Sequence, residues 1–92
     1  MNTYTIGTLV LLESHFTDTN LAPADPDAVT AEVLLPDDSV VDLTPTVVRV
    51  SIGYFTAEYL PTQEGLHTYR FQGVGAITAA DEQNFVTTSA FN

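Results

Sequence analysis

Cysteine, tryptophan and lysine are missing from this 92-residue chain, and methionine occurs only at position 1. Without cysteine there is no disulfide, no thiolate metal site and no thiol chemistry. Without lysine, Arg49 and Arg70 alone face twelve carboxylates, and the formal net charge is −10. Nucleic-acid binding needs a basic stripe that displaces counterions, so phosphate backbones are repelled, and anionic membrane surfaces with them. A partner must offer a neutral or basic surface. Long apolar runs are missing as well. The N-terminal candidate, Thr5 to Leu12, has eight residues. A bilayer span needs roughly 20. No basic residue precedes that run, Glu13 interrupts it, and no small-residue cleavage site follows, so the run is not expected to be an export signal. The expectation is a strand at this position, in a whole gene product made in a cytoplasm and soluble there.

What is present speaks for one folded domain. Apolar residues make up 45% of the chain, and a chain of this length buries roughly 60–65% of its unfolded surface around a single modest core. Turn signals recur at short intervals: Gly7, the loop "DTNLAPADPD" from Asp18 to Asp27, "PDDS" at 36–39, Thr44-Pro45, Gly53, Pro61 to Gly65, Gly73 to Gly75 and Ala80 to Asn84. The runs between them are too short for helices. Such spacing is the mark of a β-sandwich or small barrel.

Alternation within the runs assigns faces. Val10, Leu12, Ser14 and Phe16 share one side of a strand, as do Val29, Ala31, Val33 and Leu35, and Phe55, Ala57 and Tyr59. In "LHTYRFQG", His67, Tyr69 and Phe71 share a face, marking a central strand, while Thr68, Arg70 and Gln72 point away. The predicted architecture is an all-β, immunoglobulin-like antiparallel sandwich of about seven strands, one domain over residues 1–92. Its predicted core includes Val10, Leu12, Phe16, Val33, Phe55, Tyr59, Tyr69, Phe71 and Phe85. Leu9, Leu11, Leu34 and Tyr54 fall on the opposite parity. Either they sit near sheet edges and under loops, or they form an apolar outer surface that a partner covers. Phe91, in the terminal "TSAFN", is a further candidate anchor.

Candidate chemical sites are few. His15 and His67 with a carboxylate have the residue types of a zinc site, but parity sends them to different faces. Asp18, Asn20, Asp25 and Asp27 offer oxygen ligands for calcium, yet lack the glycine and distal glutamate of an EF-hand, and a solvated turn explains them equally. Asp37 and Asp38 are adjacent turn residues without a pocket. Arg70 is expected to pair across strands with Glu58. No nucleophile–histidine–acid set, phosphate-cradling glycine loop or redox centre stands out in the sequence. The expectation is a non-enzyme without cofactor or metal.

The segments "YTIG…V.L…F.D" (Tyr4 to Asp18), "DPDAVTAEVLLPDDS" (Asp25 to Ser39), "GYFTAEY" (Gly53 to Tyr59), "P…EGLHTYRFQGVG" (Pro61 to Gly75) and "EQNFV" (Glu82 to Val86) carry a resemblance. They are similar to small immunoglobulin-like virion structural proteins of tailed bacteriophages and prophages. Two positions depart from that pattern: Asp37-Asp38-Ser39 stands where a glycine is commoner, and His67 where tryptophan is often found. The resemblance implies a virion protein that decorates or cements the head and binds the major capsid protein or another structural protein. A neck or tail position is the nearest variant. Packaged DNA inside a head would repel this acidic chain, which favours the outer surface. A carbohydrate- or cell-surface-binding module is the alternative class, although six of the nine aromatics are claimed by inner faces. A bacterial adhesin or surface-array domain is the third, but such domains follow export signals and come as repeats. The expected docking residues are Leu9, Leu11, Leu34, Tyr54 and Phe91.

Overall fold

The computed structural model describes residues 2–75 and 79–89. Among them are eight strands: β1 (Asn2–Thr5), β2 (Val10–His15), β3 (Ala28–Leu34), β4 (Val40–Asp42), β5 (Val48–Ser51), β6 (Tyr54–Tyr59), β7 (Gly65–Val74) and β8 (Ala79–Thr88). A single 3-10 turn, Thr44–Thr46, occupies the Thr44-Pro45 break. Two sheets form, in the orders β1-β8-β7-β3-β4 and β2-β6-β5. All strand pairs are antiparallel except β1 with β8, which run parallel.

Period-two patterning explains how the sheets close on each other. Val10, Leu12, Ser14 and Phe16 are buried, while Leu11, Glu13 and His15 are exposed. Ala31, Val33 and Leu35 continue the core from β3, and Phe55, Ala57 and Tyr59 do so from β6. Aromatic contacts tie each layer together, and Tyr59 against His67, at 5.9 Å, joins the two. Phe16 meets Phe55 edge-on at 5.7 Å, Tyr4 meets Phe85 edge-on at 5.7 Å, and His67 stacks on Phe85 at 4.8 Å. Of the nine expected core residues, eight are buried, and Tyr69 is half-buried with its hydroxyl donating to Gln83 Oε1. His67 is fully buried. Its Nδ1 lies 3.2 Å from the Gly65 carbonyl, so that nitrogen carries the proton, and Nε2 has no partner.

Three expectations need correction. Thr5 to Leu12 is not one strand, because Ile6 and Gly7 turn the chain, with Gly7 at φ +91°. Glycine takes that left-handed conformation without a Cβ penalty. Ala80 to Asn84 is not a turn, because those residues pair with Thr68 to Gln72 inside the longest hairpin. Its strand character was hidden by small and charged residues, although Asp81, Gln83, Phe85 and Thr87 alternate. Arg70 does not pair with Glu58. The register sets it opposite Glu32 on β3, to which its guanidinium donates, and opposite Glu82 on β8. Glu58 belongs to the other sheet.

The loops follow their local chemistry. Asp18 Oδ1 accepts the backbone N–H groups of Asn20 (2.8 Å) and Ala22 (3.1 Å). Asp38 takes the left-handed φ of 71° at the position where a glycine is commoner. Asp25 ties the long loop down by accepting from Arg49 Nη2 at 2.9 Å and from the Gly53 N–H at 2.8 Å. The hydrogen bond from Arg49, and next that from Gly53, holds its carboxyl below the usual range. Gly53 itself sits at φ +72°, and a Cβ there would collide with the Phe16 carbonyl and stand 2.9 Å from the Ala24 nitrogen.

Candidate docking surface

The structure separates the residues expected to form one docking surface. Leu9 and Leu11 lie on the outer side of the three-stranded sheet, 57% and 54% exposed. Leu34 is on the outer side of the other sheet, and Phe91 lies outside the described residues. Tyr54 shares the sheet with Leu11 but is half-buried. It stacks on His15 at 4.5 Å, at the far end of β2 from Leu11. Its hydroxyl donates to Glu13. That bond, then burial, then the Glu13 charge push the phenol above its ordinary value.

A residue that the sequence reading missed joins Leu9 and Leu11. Val10 pairs with Tyr59, so the next step outward along both strands sets Leu9 beside Leu60. Leu60 is 52% exposed. Leu9, Leu11 and Leu60 thus form an apolar corner on the face whose other side carries the core. Continuing the Glu58-Tyr59 alternation by one residue places Leu60 on the outer side. The five-stranded sheet has its own exposed apolar residues, Leu34, Val40 and Leu66, and a hollow of about 220 Å³ lined by Leu34, Val40, Glu32, Thr68, Arg70 and Glu82. There the hollow is crossed by the Arg70–Glu32 ion pair.

A larger groove of about 680 Å³ opens along the side of the sandwich, between β2 and β8. Asp81, Gln83, Tyr69 and Ser14 are among its polar lining residues. Ser14 Oγ donates to Asp81 Oδ2 at 3.3 Å, and Gln83 Nε2 stands 3.4 Å from the same oxygen. Burial first, then the Asp81 charge, then Tyr4 and Glu13 raise the Tyr69 phenol. By residue type the groove contains a serine, an aspartate and His15. Their geometry is not that of a nucleophilic triad. The aspartate bonds the serine directly, and His15, next to Ser14 on a strand, projects from the opposite face.

The histidines are likewise apart: His15 is exposed on one outer face and His67 is buried between the sheets. Among the described residues, no group of three His, Asp or Glu is placed to hold a metal ion. The loop carboxylates considered for calcium are engaged in structural roles at Asp18 and Asp25.

No family model matches the chain, and no curated protein sequence matches it. Among solved structures, the chain superposes on the Lin-41 filamin domain with a TM-score of 0.74. The match covers 95% of this chain and 83% of that one, at 18% identity. Likeness at that identity shows a shared fold, and the chain has an immunoglobulin-like β-sandwich fold.

Proposed function

We propose that this chain is a non-catalytic docking module, a virion structural protein held on the outer surface of a tailed-bacteriophage head by contact with its capsid protein. The observation that carries the docking reading is the apolar corner Leu9, Leu11 and Leu60. Each residue is about half exposed on a sheet whose inner side already holds a filled core. These side chains lie outside the buried core, and interfaces draw most of their energy from a few such anchors. The bacteriophage assignment is supported by the resemblance in the sequence segments quoted above. The outer location is supported by the charge of −10, which packaged DNA would repel.

The carbohydrate-binding alternative has less support. Sugar binding favours open aromatic platforms, and Tyr54 on the outer face is already stacked on His15 and bonded to Glu13. Mass spectrometry of purified particles, with limited proteolysis of intact full heads, tests the proposal. The expected result is a stoichiometric virion protein that protease reaches before the shell is opened. Absence from particles, or complete protection until opening, contradicts it. Presence on tail or neck fractions alone would replace the head by that location.

A further inference from the structure

The two sheets end in four edge strands among the described residues, and they are not equivalent. β1 and β4 are four and three residues long. β5 has four residues, and its register breaks at a bulge between Arg49 and Ser51, a device that blunts an edge. β2 is different. It pairs with β6 in unbroken register over all six residues, Val10 to His15, and its other side opens on the β2–β8 groove. The Phe16 N–H donates to the Gly53 carbonyl in continuation of that ladder. Antiparallel alternation therefore turns the backbone groups of Val10, Leu12 and Ser14 toward β6, and those of Leu11, Glu13 and His15 toward the free edge.

We propose that β2 is a strand-addition site, where an extended basic segment of a partner protein joins the three-stranded sheet as its fourth strand. This rests on the docking reading and names the partner's chemistry. An incoming strand finds free N–H and C=O groups along one flank, and its alternate side chains enter the groove. Glu13 and Asp81 line that groove, and both arginines are committed elsewhere, Arg49 to Asp25 and Arg70 to Glu32. Ser14 and Glu13 project from opposite faces of β2, so lysine or arginine on the segment's groove side would meet Asp81 and on its outer side Glu13. The Tyr69 phenol is raised first by burial and next by the Asp81 charge, the second of which is in keeping with a negative groove. A second copy of the chain, at −10, is the wrong occupant.

The probe is a synthetic peptide of lysine–lysine–threonine repeats, about ten residues long, which carries charge on both of its faces. On titration, hydrogen exchange should slow at the amides of Leu11, Glu13 and His15, with cross-strand NOEs to β2. Glu13→Gln and Asp81→Asn should each weaken binding about fivefold, the weight of a partly exposed ion pair, with Tm unchanged. Equal binding by a backbone N-methylated peptide or by a glutamate–threonine peptide overturns the proposal. So does protection at β4 or β5 in place of β2, or dimerisation of the chain through β2. If the peptide fails while the intact protein still joins particles, strand addition is wrong and docking stands. If the peptide adds to β2 but the protein is absent from particles, the virion reading is wrong and the edge site stands.

Discussion

The two sheets bury one core between them but are finished differently on the outside. The outer face of the five-stranded sheet carries a cross-strand polar ladder: Arg70 with Glu32, and Thr68 with Asn84 at 2.8 Å. Its edge strands are too short to template another chain. The three-stranded sheet has half-exposed leucines at one corner and a regular six-residue edge beside an acidic groove. On the proposed reading, the three-stranded sheet is the one a partner covers. The exposed apolar residues Leu34, Val40 and Leu66 are the feature of the five-stranded sheet that most resembles its counterpart, and they serve as the internal control.

The largest expected effect sharpens the contrast between inside and outside. Phe71→Ala removes a fully buried ring and should cost about 3–5 kcal/mol in urea denaturation. Leu11→Ala, on the outer face, should stay within about 0.5 kcal/mol of wild type. Comparable losses would erase the distinction. Gly53→Ala comes next. It forces a Cβ into the left-handed region and against the Phe16 carbonyl, with an expected loss of about 2 kcal/mol. His67→Leu should act in the opposite direction. It removes a buried Nε2 without a partner, and a gain of about 1 kcal/mol is expected from the melting curve. A loss would mean that the Nδ1 bond to the Gly65 carbonyl and the stacking on Phe85 outweigh the orphaned nitrogen.

A double-mutant cycle on Arg70 and Glu32 should return a coupling of about 0.2–1 kcal/mol, because both side chains are substantially exposed. Arg70 with Glu58 should be additive, since the two lie on different sheets. The smallest effect concerns acid. Asp25 is held below its ordinary value, chiefly by Arg49. A carboxyl depressed in the folded state adds stability that is complete above its unfolded pKa, near 4. That stability is lost as pH falls through the folded value. Asp25→Asn should therefore flatten the fall in Tm below about pH 4 and leave its slope above that range unchanged.

The core was legible in the sequence because burial on one face imposes period two, and Val10, Leu12, Phe16 and Phe71 obey it without exception. The pairing partners were not. Parity says which face Arg70 takes but not which strand lies beside it, and the choice of Glu32 over Glu58 depends on sheet order. Ala80 to Asn84 combines small and charged residues, the composition of a turn, while its long pairing with β7 makes it part of the β8 strand. The docking surface was half legible. Leu9 and Leu11 stood out as apolar residues on the wrong parity, but grouping them with Leu34 required knowledge of which sheet each strand joins. The groove needs Asp81 and Ser14 brought together across 67 positions of sequence, a separation that local patterning does not span.

The central claim is that the three-stranded sheet is the covered one. Its most direct test compares two matched pairs in the same particle co-purification assay, with Tm measured in parallel. Leu11→Asp with Leu60→Asp alters the corner of the three-stranded sheet, and Leu34→Asp with Leu66→Asp alters the exposed apolar residues of the five-stranded sheet. All four leucines are between 41% and 54% exposed. The account predicts that the first pair folds normally and is lost from particles, while the second folds normally and stays bound. Retention of the first and loss of the second would contradict it.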